Sequence, residues 1–127
     1  MPTTPSDRRY LETHEWHKRD GDVVTIGITQ FAADELTDVT YVKLPAVGKR
    51  LKAREAFGEI ESVKTNSDLY TGVAGTVTEV NGDLAKDPGL VNSDPFGKGW
   101  MIKLKADDSG EVDRLLSVDD YLKKTGH

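Results

Sequence analysis

Cysteine is absent from this sequence of 127 residues, which excludes disulfides, a thiolate nucleophile and any metal site built on cysteine. Sulfur redox chemistry would therefore require a cofactor. No apolar run approaches the roughly 20 residues that a membrane-spanning helix needs. The first ten residues, MPTTPSDRRY, lack the apolar stretch of a secretory signal and the amphipathic arginines of an organelle transit peptide. We therefore expect a cytoplasmic protein with no membrane partner, although a presequence already removed would leave no trace.

Basic residues are outnumbered, because 17 lysines and arginines stand against 22 acids and the formal net charge is −5. Proteins that bind nucleic acids or anionic membranes usually present a basic surface. The charge balance therefore argues against both kinds of partner.

The usual catalytic and metal-binding patterns are also missing. His14 and His17 have the spacing of one helix face, but no further ligands lie near them with the spacing of a metalloenzyme. The alternative for His14 is a partly buried strand residue. No glycine-rich phosphate loop occurs, and the acids at 107–110 are too few for a calcium loop. We expect a protein without catalytic residues or a metal site of its own.

Length and pattern favour one small domain over residues 1–127, expected to be a monomer, with residues 1–7 as a flexible lead-in. Short β-branched segments separated by turn residues predict a small sandwich or barrel. The predicted strands cover 10–16, 23–28, 39–44, 50–52, 55–62, 67–73, 76–80 and 99–104. Three helices are predicted: 31–36 capped by Thr29, a turn at 88–91 after Asp87, and a C-terminal helix at 117–125 capped by Ser117.

The segment FGEIESVKTNSDLY, residues 57–70, predicts a β-hairpin with Lys64 at its tip. Ile60 and Leu69 should share the buried face, because side chains alternate along a strand with period two. Pairing Ile60 with Leu69 or with Ser67 satisfies this requirement. Pairing it with Asp68 would turn a carboxylate toward the core and is disfavoured.

The tip itself has no glycine or asparagine for a tight primed turn. A looser loop around a type I turn, ending near Asn66, fits Val63, Lys64 and Thr65 better. Two interpretations of Lys64 stay open from the pattern alone. It is either a solvated turn residue or an amine displayed for covalent modification.

Ordered motifs across most of the chain resemble the H protein family of the glycine cleavage system. They are THEW at 13–16, IGIT at 26–29, YVKLPAVG at 41–48, ESVK at 61–64, SDLY at 67–70, AGTVTEVN at 74–81, LVNSDPFGKGW at 90–100 and IKLK at 102–105. Family members usually have glycine in place of Thr37, proline in place of Gly72 and an acid in place of Gln30. These departures affect local loop geometry and leave the lysine turn intact.

The resemblance implies a mainly β fold: a flattened sandwich of two antiparallel sheets, the barrel–sandwich hybrid of lipoyl and biotinyl domains, with short helices and a C-terminal helix. It implies lipoic acid bound covalently to Lys64. The protein would then carry an aminomethyl group from the pyridoxal-phosphate glycine decarboxylase (P protein) to the folate-dependent aminomethyltransferase (T protein). The reduced dithiol would pass to the dihydrolipoyl dehydrogenase (L protein).

Four further residues are candidates for supporting roles. Glu61 and Val63 should be read by the lipoate-attaching enzyme and by the glycine decarboxylase. Glu15 and Asp68 are expected to line a cleft that holds the loaded arm as a cation; alternatively, both are ordinary surface or turn acids. Two other functions stay open, a lipoyl donor for other complexes and a biotin carrier. The biotin carrier fits less well, because such domains typically flank the lysine with methionines.

Overall fold

The structure is a computed structural model that describes residues 4–125, and two antiparallel sheets dominate it. The strands are β1 Arg9–Tyr10, β2 Glu15–Asp20, β3 Val23–Ile28, β4 Val39–Lys43, β5 Arg50–Leu51, β6 Ala56–Ser62, β7 Asn66–Tyr70, β8 Gly75–Val80 and β9 Ile102–Ala106. The helices are α1 Gln30–Leu36, α2 Asp83–Lys86, α3 Leu90–Ser93 and α4 Val118–Thr125, with a 3-10 helix at Ser109–Arg114. One sheet has the order β1-β2-β3-β9-β8-β5 and the other β4-β6-β7. The predicted mainly β, two-sheet fold is confirmed.

The main core lies where strands of both sheets turn apolar side chains toward one another. Its members include Val24, Ile26, Ile60, Leu69, Ile102 and Leu104, each at most 1% exposed. Alternating β-branched and leucine side chains on these strands fill the interior, and each contributes roughly 1.5–3 kcal/mol when fully buried. This core fixes the hairpin of β6 and β7 against the larger sheet.

A second cluster joins the C-terminal helix to the first strands. The rings of Tyr10 and Tyr121 stack with centroids 4.8 Å apart, and Trp16 is buried with them. Ser117 begins the helix as predicted, because its hydroxyl oxygen accepts a hydrogen bond from the Asp120 amide at 3.2 Å. Acids in the first turn and lysines in the last turn of α4 suit the helix dipole.

The prediction of a single strand over 10–16 is wrong. The chain turns between β1 and β2, and Tyr10 pairs with Trp16 across the resulting hairpin. His14 adopts a positive φ of 82° in this turn. Folding back buries both aromatic residues in the second cluster, which one extended strand could not do.

Other predicted boundaries shift too: the strand predicted over 67–73 ends at Tyr70, and the last strand extends to Ala106. The helical turn begins at Leu90 and not at Pro88, because the Asp87 carbonyl accepts the Leu90 amide in a preceding turn. The last strand begins at Ile102, because the amides of Gly99 and Trp100 are used in turns back to Asp94 and Gly97. The helix α2 and the 3-10 helix were not predicted.

The predicted flexible lead-in, residues 1–7, lies partly outside the described residues, which begin at residue 4. Within its described part, Asp7 forms an ion pair with Arg8 at 2.8 Å. Among residues 4–125, no helix is both long enough and apolar enough to cross a membrane.

Candidate functional site

The hairpin tip that carries Lys64 is held together by one serine. The Ser62 hydroxyl oxygen accepts hydrogen bonds from the amides of Lys64 and Thr65, at 3.2 and 3.0 Å, and donates to the Thr65 carbonyl at 2.9 Å. The register pairs Ile60 with Ser67, one of the two predicted alternatives. Ser62 thus bonds the turn backbone in the way that asparagine or aspartate does in other turns, and its role was not predicted from the sequence.

Lys64 is exposed, and its Nζ donates a long hydrogen bond of 3.5 Å to the Glu35 carbonyl at the end of α1. It forms no ion pair with any residue in the part of the chain that the structure describes. Val63, beside it, is 67% exposed, and its amide donates to the Asp38 carbonyl at 3.1 Å. The tip is therefore anchored through its backbone while both side chains face solvent.

A cleft of about 140 Å³ opens between α1, the start of β2 and the hairpin. Its lining residues are Thr13, His14, Glu15, Ile28, Phe31, Ala32, Glu35, Leu36, Ile60, Ser67, Asp68 and Leu69. Cavities of about this size hold small organic groups such as benzene. A mostly apolar cleft that contains a carboxylate can therefore receive a short, partly apolar chain with a polar end.

Glu15 lines this cleft and is only 1% exposed. One carboxylate oxygen accepts the Tyr70 amide at 2.8 Å, and the other accepts the Thr13 hydroxyl. Burial raises the pKa of Glu15 from 4.5 to about 7, with the two hydrogen bonds opposing the shift. Glu15 is thus not a surface acid, and it can hold or release a proton near neutral pH.

Asp68 borders the cleft, but its side chain is exposed. It alternates with Ser67 and Leu69 along β7, and its carboxylate accepts the Tyr70 hydroxyl at 3.5 Å. Alternation places Asp68 on the opposite side of the strand from Leu69, which packs into the core. Ser67 lies on the side of the strand that faces the cleft. The sequence did not predict it as a lining residue.

A hydrogen-bonded cluster supports the cleft from behind. The Tyr121 hydroxyl lies 2.7 Å from Nδ1 of His14 and 2.8 Å from Oγ1 of Thr29. The Thr29 amide donates to the His14 carbonyl at 2.9 Å, and Thr29 caps α1. The His14 ring packs on Phe31, with centroids 4.8 Å apart. Tyr121 thereby ties the C-terminal helix to His14, which lines the cleft, and to Thr29, which caps α1.

His17, the other histidine of the predicted pair, is fully buried away from the cleft. Its Nε2 accepts the Gly72 amide at 2.9 Å, and burial lowers its pKa to about 3, so it stays neutral. A proline at position 72, usual in the resembled family, would have no amide to donate. Among the described residues, no cluster of three or more His, Asp or Glu side chains could hold a metal ion.

Thr37 stands where the resembled family usually has glycine. It adopts φ 62° and ψ −140° at the end of α1. This region is strained for a β-branched residue and suits glycine. Asn92 holds the segment in place, since its amide nitrogen donates to the Thr37 carbonyl at 2.5 Å and its oxygen accepts the Val39 amide at 2.9 Å. The end of α1 thus keeps its position beside Lys64 despite the strain.

Comparison with known proteins agrees with the fold. The family model described as glycine cleavage H-protein matches residues 8–127. A probable glycine cleavage system H protein of Natronomonas pharaonis is 53% identical over 117 residues, 92% of each chain. The glycine cleavage system H protein of Carboxydothermus hydrogenoformans is 49% identical over 123 residues, 97% of this chain and 95% of the relative. The crystal structure of a glycine cleavage system H protein from Mycobacterium marinum is 37% identical, with a TM-score of 0.89 over 98% of this chain and 100% of that one.

An antiparallel sandwich that displays one lysine on a hairpin tip is the architecture of the carrier domains that bear lipoyl or biotinyl groups. The chain belongs to the glycine cleavage H-protein family, the lipoyl carriers of glycine cleavage.

Proposed function

We propose that the chain is a non-catalytic shuttle of glycine cleavage, with lipoic acid joined to Lys64 through an amide bond. The observation that carries the proposal is the exposed Lys64 amine on a tip fixed by Ser62. When bound, the lipoyl group supplies the disulfide that accepts the aminomethyl group and the thiols that are later reoxidised. The tethered arm makes each transfer effectively intramolecular, which raises the local concentration of the reacting group.

Glu61 and Val63 serve recognition in this proposal. Val63 is largely exposed beside the lysine, and Glu61 lies at the end of β6, where it pairs with Tyr41 and Asn66. The lipoate-attaching enzyme and the glycine decarboxylase read these two side chains, and the net charge of −5 steers basic partner surfaces toward them.

The cleft protects the cargo. Glu15 presents a buried carboxylate to a cationic aminomethyl amine, and a charge-assisted hydrogen bond contributes roughly 1.5–3 kcal/mol. The apolar lining around Ile60 and Leu36 keeps water from the group. Asp68, at the rim, adds negative charge along the path between Lys64 and Glu15. Release then requires a partner enzyme that competes for the group.

The partners follow from this role: glycine decarboxylase loads the arm, the aminomethyltransferase unloads it, and the dihydrolipoyl dehydrogenase reoxidises it. A single carrier domain, a monomeric state and a cytoplasmic location stay predictions from the sequence.

Reconstitution tests the proposal. Lipoylated protein combined with the three enzymes should release CO₂ and ammonia from glycine, whereas Lys64→Arg should support no turnover. Lipoylated protein that gives no glycine-dependent turnover, but passes its lipoyl group to other complexes, would instead establish a donor function.

A second measurement isolates the cleft. Glu15→Ala, loaded with the aminomethyl group and left alone, should release ammonia and formaldehyde about tenfold faster, since about 1.4 kcal/mol corresponds to a factor of ten. Unchanged release in both Glu15→Ala and Asp68→Ala would refute the role of the cleft and leave the carrier function standing.

A further inference from the structure

An exposed aromatic side chain lies close to the lysine tip. In the part of the chain that the structure describes, three large hydrophobic residues are exposed: Tyr41 at 49%, Val47 at 61% and Val63 at 67%. Val63 precedes Lys64, and Tyr41 lies on β4, the strand paired with the one that leads to Lys64, whereas Val47 lies in the loop between β4 and β5. Tyrosine is among the residues that most often anchor protein–protein interfaces.

The strand register relates Tyr41 to the tip. β4 is an edge strand of the smaller sheet, and Tyr41 is paired directly with Glu61 on β6. Side chains of paired residues project from the same face about 5 Å apart. Lys64 follows Glu61 by three residues, which span at most about 10 Å, and the paired strands are about 5 Å apart, so the Cα atoms of Tyr41 and Lys64 lie within about 15 Å. One partner of standard interface size, about 800 Å² on each side, covers both.

An irregularity in β4 stabilises this arrangement. The register shifts between Val39 and Tyr41, which leaves Thr40 as an extra residue. The Thr40 hydroxyl donates to the Glu61 carbonyl at 3.2 Å. Bulges near functional sites commonly re-aim a side chain, and here the bulge accompanies an exposed tyrosine beside the predicted recognition residue Glu61.

Around Tyr41 and the lysine tip the acids Glu35, Asp38, Glu59 and Glu61 outnumber the cations Lys43 and Lys64. Glu59 lies two residues before Glu61 on the same strand and is exposed, and Glu35 and Asp38 lie beside the tip and are also exposed. Lys43 is the cation paired with Glu59. An apolar anchor within an acidic surrounding is complementary to an apolar pocket with a basic rim.

We propose that Tyr41 anchors the enzyme that acylates Lys64, through an apolar pocket with a basic rim. This enzyme is favoured because it must bring the Lys64 amine itself within bonding distance of the activated acyl carbon. The amine nitrogen bonds that carbon, the leaving group departs with the electron pair of the broken bond, and the ammonium loses a proton. The glycine decarboxylase also reads Glu61 and Val63, but it and the other partners react with the sulfur atoms at the far end of the arm and do not need the lysine nitrogen in their active sites. Because this docking serves the proposed lipoylation of Lys64, it rests on that function.

The test compares variants of two exposed residues, Tyr41 and Val47, whose side chains are exposed to a similar degree. Unmodified protein is incubated with a lipoate ligase, lipoate and ATP, and initial rates are followed by intact mass. Tyr41→Ala should lower kcat/KM at least tenfold through KM with kcat unchanged, whereas the matched control Val47→Ala should equal wild type. Tyr41→Phe should retain most of the rate. Tyr41→Lys, tolerated at a sheet edge, should be at least as slow as Tyr41→Ala because it opposes a basic rim.

Direct binding of the ligase to this protein is a second measurement, and it does not require that Lys64 be lipoylated. In a Lys64→Arg background, the ligase should bind the parent protein more tightly than the same protein with Tyr41→Ala, by a factor similar to the change in KM. An equal Kd, or a rate of Tyr41→Ala equal to that of Val47→Ala, would overturn the docking role of Tyr41. Absence of any mass gain in wild type would instead refute the proposed function of Lys64.

Discussion

Replacing Glu15 by glutamine should stabilise the unloaded protein and impair the carrier. Ionised Glu15 is buried and lacks a described cationic partner, so its charge opposes folding above neutral pH. Glutamine can keep the bond from the Tyr70 amide through its own carbonyl oxygen and can donate to Thr13. The substitution therefore removes the charge while retaining both neighbours.

The size of the change in the free energy of unfolding follows from the pKa values of Glu15 and His17. A carboxyl whose pKa rises from 4.5 to about 7 on folding contributes stability that is complete below pH 4.5 and is lost as pH rises through 7, roughly 3 kcal/mol in all. His17 acts in the opposite direction. Its pKa falls from 6.5 to about 3 on folding, so its contribution is complete above pH 6.5 and is lost as pH falls. Between pH 4.5 and 6.5 the two effects cancel in wild type.

Urea unfolding at pH 4.5 to 8 measures the difference in stability between Glu15→Gln and wild type. Glu15→Gln should gain roughly 3 kcal/mol in the free energy of unfolding between pH 4.5 and 6.5, where wild type stays nearly level. At pH 8 the variant should exceed wild type by a similar amount, while its aminomethyl-loaded form releases the cargo faster. Parallel stability profiles for the two proteins would refute the assignment of a raised pKa to Glu15.

Two further substitutions test the surroundings of the cleft. Thr37→Gly should raise the free energy of unfolding in urea by about 1 kcal/mol, because relief of backbone strain at φ 62° exceeds the entropy cost of glycine. A lower free energy of unfolding would show that the threonine conformation is not strained. Tyr121→Phe should accelerate amide hydrogen exchange at Thr29 and cargo release severalfold, because the hydroxyl between His14 and Thr29 is lost. Tyr10→Phe, which removes a hydroxyl from the same aromatic cluster away from the cleft, is the control, and equal effects would contradict a role specific to Tyr121.

Local patterns were enough to predict the central hairpin. The alternation of Ile60 and Leu69 narrowed the register to two alternatives, one of which is the observed pairing of Ile60 with Ser67. Ser117 and Thr29 were recognisable as helix caps, because capping depends on neighbours within three residues.

Long-range contacts explain what the sequence could not predict. The Glu15 carboxylate accepts an amide 55 residues away, so its burial and raised pKa depend on tertiary structure. Tyr121 reaches His14 across 107 residues, and the turn that makes this possible contains a positive φ in place of the expected strand. Asp68 was predicted to lie near the lipoyl arm only because it is close to Lys64 in sequence. The alternation of side chains along β7 instead places Ser67 on the side of the strand that faces the cleft.

Intact mass after expression with a lipoate ligase, with and without lipoate, tests the lysine assignment most directly. Wild-type protein should gain one lipoyl mass when lipoate is present, and Lys64→Arg should gain none, although its free energy of unfolding should stay within about 0.5 kcal/mol of wild type because the side chain is exposed. A lipoyl mass on Lys64→Arg, or none on wild type, would contradict the account.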